Sequence, residues 1–181
     1  MKKALFIILL FIGIGRLSSQ NIEISPFYGY QFGSTIDYYG GYVKMDEGSN
    51  YGGTVGFNTG NNVIVQLSYV RNTSEILVRD VVFAPIEVRV TDANFDWFSI
   101  GGLRTAGRED LYGQFGLGVG LLVSTPTNIN RTVVDRSISS NTRMFFDLKF
   151  GGTAMFTETL GLRVNALMQF PVDWAGAYFA V

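Results

Sequence analysis

Five charged residues, Glu23, Arg104, Asp147, Lys149 and Arg163, lie inside segments that otherwise alternate bulky apolar side chains with glycine or small polar ones. Fixed charges of both signs in such a setting can line an ion path, or they can pair into a plug that fills an interior and holds register. Glu23 opens the first such segment, Arg104 closes the fourth and Arg163 opens the seventh, so all three are expected at one rim. Unpaired charges in a closed interior are costly. Mixed signs at similar depth therefore predict pairing, with Gln114, Asn165 and Gln169 completing an inward polar network.

Catalysis has little to work with. The chain has no histidine and no cysteine. A Ser-His-Asp arrangement is thus impossible, and no thiolate metal site or disulfide can form. Asp/Glu pairs could in principle serve glycoside hydrolysis, but no polar cleft for a sugar is legible. Asp46 and Glu47 are too few for a calcium site. No enzymatic activity, cofactor or metal is expected.

The elements that position these charges are strands. Residues Leu111 to Val123 read LYGQFGLGVGLLV: Leu111, Phe115, Leu117, Val119, Leu121 and Val123 share one face, and Tyr112, Gln114, Gly116, Gly118, Gly120 and Leu122 share the other. Period two over about 13 residues exceeds the ~5–6 of a common strand and suffices to cross a bilayer when tilted. Six further segments repeat the pattern. They are Ile22 to Phe32, Tyr51 to Asn58, Val63 to Arg71, a strand reaching Arg104 through Phe95 and Trp97, Met144 to Phe156, and Leu160 to Val172. Connections alternate in length. Thr59 to Asn62, Thr105 to Asp110 and Thr157 to Thr159 are short, whereas Gly33 to Asn50, Asn72 to Asp92 and Ser124 to Asn141 are long. Short turns on one rim and long loops on the other is the pattern of outer-membrane barrels. The fourth strand changes parity between Ile86, Val88, Val90 and Phe95, Trp97, which predicts a β-bulge near Thr91 to Asn94.

Volume decides which face points inward. Eight strands with five to seven large apolar side chains each would bring about forty into an interior only just wide enough for its side chains, and would overpack it. The glycine-rich face fits a narrow lumen, and the apolar face then meets lipid. The expected fold is all-β: an eight-stranded antiparallel up-and-down transmembrane β-barrel with its last strand cut short, because too few residues follow Asp173 for another span.

The first residues, MKKALFIILLFIGIGRLSSQ, have a basic start, an apolar core of about a dozen residues and small residues at Ser18 and Ser19. Residues 1–19 read as a signal peptide and 20–181 as one barrel domain. Taking Lys2, Lys3 and Arg16 from the 14 basic residues leaves 11 against 15 acidic, near −4. That disfavours nucleic acid as a partner.

Tyr28, Tyr30, Phe32, Tyr69, Phe95, Trp97 and Phe170 suit an interfacial aromatic girdle. The segment Ile76 to Val90 is the best candidate for binding. As a protruding hairpin with its tip near Ala84-Pro85 it would offer an edge for strand addition. Tyr38, Tyr39 and Tyr42 in the first long loop, with Val82, Phe83 and Ile86 in the hairpin, are the candidate contacts.

The segments NIEISPFYGYQF, SYV, FSIGGLR, LYGQFGLGVG and ALMQFPV resemble small outer-membrane β-barrel proteins of the Bacteroidetes, and in architecture the OmpX and OmpA barrels. The resemblance implies the outer membrane of a Gram-negative bacterium. It also implies lipid and lipopolysaccharide as neighbours, the barrel-assembly machinery as a partner in biogenesis, and a monomer. A structural or adhesive role through external loops, toward a surface protein or glycan, is the expectation. A narrow porin-like channel and a secreted soluble barrel holding a lipophilic ligand are the alternatives.

Overall fold

A computed structural model describes residues 22–82, 84–132 and 139–172. The described residues are all β, in nine antiparallel strands. In chain order these are β1 (Ile22–Gln31), β2 (Ser34–Tyr38), β3 (Gly41–Met45), β4 (Gly48–Asn58), β5 (Val63–Asp80), β6 (Ala84–Gly107), β7 (Leu111–Thr127), β8 (Asn141–Met155) and β9 (Gly161–Val172). The main sheet runs β1-β4-β5-β6-β7-β8-β9, and β2 and β3 form a hairpin docked on the far end of β5. The seven long strands of the sequence reading are these seven. Residues 1–19 and the eighth strand expected after Asp173 fall outside the described residues.

The short turns hold as tight reversals. At the β4–β5 turn, Val63 N donates to Gly60 O at 3.1 Å and Thr59 N to Val63 O at 3.0 Å. Gly60, Asn61 and Asn62 all have positive φ there, the backbone region that glycine and asparagine tolerate best.

The register sorts every main-strand residue onto one of two faces. Crossing the sheet from Ile24, the paired residues are Val55, Leu67, Ile100, Val119, Phe146 and Phe170, apolar on all seven strands. This row is convex. Leu117 is 57% exposed and Val164 70%, so the large apolar chains point away from the interior. Crossing from Phe27 on the other face gives Gly52, Val70, Trp97 and Leu122, and these enclose Phe145, which is fully buried.

The sheet is coiled as well as curled. The row that starts at Glu23 passes Gly56, Gln66, Gly101, Gly118 and Asp147 to reach Gln169. Yet the carboxylate of Glu23 meets Arg163, six residues earlier on β9 than Gln169. A stagger of this kind is what tilted strands accumulate when a sheet rolls up. Among the described residues β1 and β9 are not backbone-paired, so the architecture shown is a curled half-barrel with two edges facing each other.

Two expectations about β6 are corrected. The bulge falls at Val90, since Ile76 pairs with Thr91 and Leu77 with Arg89, one residue before the range predicted. Below it, the odd-numbered residues of β6 face inward. Phe95 and Trp97 therefore belong to the interior cluster, with Trp97 only 7% exposed, and not to an outer girdle. By the same parity Arg104 is exposed on the convex side, while its neighbour Leu103 is buried. The outward aromatic of this strand is Phe98, stacked 5.0 Å from Tyr69.

Candidate functional site

The concave face is filled in layers. At the short-turn rim, Arg163 Nη2 donates to Glu23 Oε2 at 2.7 Å, Nη1 lies 2.5 Å from Oε1, and Nε donates to Thr153 Oγ1 at 2.9 Å. The Nη2 hydrogen bond is charge-assisted, the strong kind, while Nη1 stands close to Oε1 without a hydrogen bond of its own. Beside it Gln114 Nε2 donates to Asn165 Oδ1 at 2.5 Å. One layer up, Lys149 Nζ donates to Ser68 Oγ at 2.6 Å and Gln66 Oε1 at 3.1 Å, and sits 3.7 Å from Asp147 Oδ2. The Asp147 side chain is 1% exposed. Above these polar layers, toward the long loops, lies the apolar plug of Phe27, Val70, Trp97, Leu122 and Phe145. Trp97 meets Phe145 edge-on at 4.9 Å, and its Nε1 donates to Asn72 Oδ1 at 3.3 Å.

Glycines on β7 make this filling possible. A Cβ on Gly118 would stand 2.3 Å from Asp147 Oδ1, and one on Gly120 would stand 2.7 Å from the Phe145 ring. The small face of β7 is thus the floor on which neighbouring side chains lie, not an empty stripe.

Of the polar residues singled out from sequence, Glu23, Gln114, Asp147, Lys149, Arg163, Asn165 and Gln169 share the concave face, and Arg104 does not. Ser68, Gln66 and Thr153, readable from sequence on the same face but not singled out for the network, belong to it. Their signal was parity, because each sits opposite an outward apolar neighbour. Tyr28, Tyr30, Tyr69 and Phe170 are on the convex face, as is Tyr51, which pairs with Tyr28.

The second feature is an extension on the long-loop side. Beyond Asn72, β5 leaves β4 and continues between β3 and β6, giving a four-stranded sheet in the order β2-β3-β5-β6. Alternation divides it. Ile36, Tyr38, Val43, Met45, Ile76 and Val78 share one face by register, and Asp37, Tyr42, Lys44 and Arg79 share the other. On the polar face Tyr42 OH donates to Glu87 Oε2 at 2.7 Å, which raises the phenol above its usual range. The ammonium of Lys44, 3.1 Å from Asp46 Oδ1, holds that carboxyl below the ordinary carboxylate range.

At the distal end the two hairpins are tied together. Val81 N donates to Gly40 O at 2.9 Å, Val82 N to Asp80 Oδ1 at 2.8 Å, and Tyr38 OH to Asp80 Oδ2 at 2.9 Å. Tyr38, Tyr39, Val82 and Ile86 are therefore brought to one end, while Tyr42 lies on the polar face and Phe83 is outside the described residues. Of the two edges of the hairpin expected to offer strand addition, that of β5 is taken by β3. The β6 edge carries Pro85, the Val90 bulge, and Asn130, whose N donates to Val90 O at 2.8 Å and whose Nδ2 donates to Arg89 O at 3.0 Å. Within the extension, among the described residues, the outer edge left without such protection is β2, Ser34–Tyr38.

No protein-family model matches the chain, and no curated protein or solved structure matches it.

Proposed function

We propose that this chain is an integral outer-membrane β-barrel protein of a Gram-negative bacterium, acting at the surface through its β2-β3-β5-β6 extension. The observation that carries the reading is the convex face. The row from Ile24 to Phe170 is apolar on all seven strands, and the rows on either side of it interrupt large apolar side chains only with Gly102 and Gly53, while ion pairs and amides fill the concave side. A soluble barrel would show the reverse. On the long-loop side the outer rows change character within four residues, from Tyr69 and Phe98 through Tyr51, Arg71 and Asp96 to Thr73 and Asn94. An aromatic and charged border of this kind suits a bilayer interface.

In this reading the barrel closes through one further antiparallel strand between β9 and β1, which run in the same direction and so admit an antiparallel strand paired to both. Closure satisfies the backbone within lipid, where an edge would be prohibitive. The extension would bind a surface protein by strand addition at β2, or a glycan through its exposed tyrosines.

Membrane fractionation tests the core of the proposal. The protein is expected in the outer-membrane fraction, released only by detergent, and to migrate faster on a gel unheated than boiled. Recovery in the supernatant without detergent overturns it.

A narrow channel is the second reading, supported by the polar layers at the short-turn rim. The apolar plug above them argues for a closed lumen. Single-channel conductance in planar bilayers separates the two.

A further inference from the structure

The distal end of the extension is built unlike a solvated turn. Such turns favour Asn, Asp, Gly and Ser, yet this one presents Val81 at 74%, Val82 at 86% and, beside them, Tyr39 fully exposed, with Ile86 next along β6. These side chains are held outward. The hydrogen bonds of Val81 N to Gly40 O and of Val82 N to Asp80 Oδ1 fix the backbone, and Tyr38 OH braces the same Asp80. Among the described residues nothing packs over the resulting knob.

We propose that this knob docks by shallow insertion into a neutral, zwitterionic lipid bilayer other than the one holding the barrel. The inference rests on the membrane reading above.

Three observations select lipid as the occupant. First, the amides of Val81 and Val82 are already paired, so burying these two residues in an apolar medium leaves neither donor unsatisfied, the condition lipid imposes. A partner strand would instead need free amides. Second, an aromatic with a polar end beside branched aliphatics is the composition that partitions to a bilayer surface. Third, residues 34–47 and 75–92 carry Asp37, Asp46, Glu47, Glu75, Asp80, Glu87 and Asp92 against only Lys44, Arg79 and Arg89. That excess is repelled by anionic lipid, so the bilayer is neutral. The barrel's own bilayer is out of reach. β5 runs nine residues past the Arg71 border to Asp80, about 30 Å at ~3.3 Å per residue.

The chain has no cysteine, so Val82→Cys supplies a single thiol for an environment-sensitive fluorophore. The labelled full-length protein, in detergent-free nanodiscs, is mixed with phosphatidylcholine vesicles and with vesicles containing three parts in ten phosphatidylglycerol. The expected result is a blue shift and co-flotation with the neutral vesicles, reduced by the anionic ones. A Tyr39→Ser/Val81→Ser variant labelled at the same position should lose about tenfold in fraction bound, the factor that ~1.4 kcal/mol represents. Equal flotation of this variant, stronger capture by anionic vesicles, or no shift on neutral ones overturns the proposal. A blue shift in nanodiscs before vesicles are added would mean that the knob reaches its own bilayer, and overturns it too. A chain soluble without detergent would defeat the barrel reading instead, and the vesicle assay on that soluble protein would still judge the knob.

Discussion

Arg163 on β9 clasps Glu23 on β1 although the strand ladder carries Glu23 level with Gln169, six residues further along. The pair therefore fixes how far the two sheet edges slide past each other as the sheet rolls. The Arg163 side chain is 10% exposed and that of Glu23 33%, so the bond is partly shielded from water. Removing either partner by Arg163→Met or Glu23→Gln should cost about 2 kcal/mol, the scale of a charged hydrogen bond left unmade. Urea unfolding in detergent would show the double substitution costing less than the sum of the singles. Additive losses would mean that the edges are held by something else.

The glycine floor of β7 gives a contrast within one curled sheet. Gly118→Ala and Gly120→Ala push a methyl into Asp147 and into Phe145, which overpacking data put at ~1–3 kcal/mol each. Gly102 sits on the convex side with nothing within 4 Å of a new Cβ, so Gly102→Ala should be near neutral. Thermal unfolding of the three variants checks this. A loss at Gly102 equal to that at Gly118 would contradict the concave packing.

Orientation toward lipid can be probed by single charges. If the proposed membrane reading holds, Leu117→Arg on the convex face should be destabilising by ~2–4 kcal/mol near the bilayer midplane. A charge at Arg104, exposed at the short-turn rim, is already tolerated. Folding yield into vesicles is the readout, and an unchanged yield for Leu117→Arg would remove lipid from that face.

The extension should respond to alkali. Tyr42 has its pKa raised above 10.0, first by its hydrogen bond to Glu87, and Tyr38 is raised by burial and then by Asp80. A folded-state pKa above the unfolded value favours the protonated fold. The contribution is therefore complete below pH 10 and lost as pH rises through the folded value. Ultraviolet titration should find Tyr42 ionising later in the wild type than in Glu87→Gln. Identical curves would dissolve that hydrogen bond.

How much of this was legible in the sequence depends on whether a strand's two faces differ in character. On β7 and β8 they do. Leu117 against Gly118, and Leu148 against Asp147, assign both faces without ambiguity, and the inward charges followed. On β6 they do not. Trp97 and Phe95 are apolar because the plug is apolar at their level, so they imitate an outward row and carry Arg104 to the wrong side with them. The informative neighbours were Phe98 and Ile100, whose parity matches the outward Leu121 and Val119 they pair with. β2 and β3 were missed because their alternation spans five residues each, too short for a period to stand out.

Seen mechanically, β5 is a single beam. It runs without interruption from Val63 to Asp80, flanked by β4 and then β3 on one side and by β6 on the other. A pull on Val82 along that beam loads its lateral bonds in parallel, in shear, where peeling would break them one after another. Traction at the tip would thus be carried down into the curled main sheet before the extension gives way.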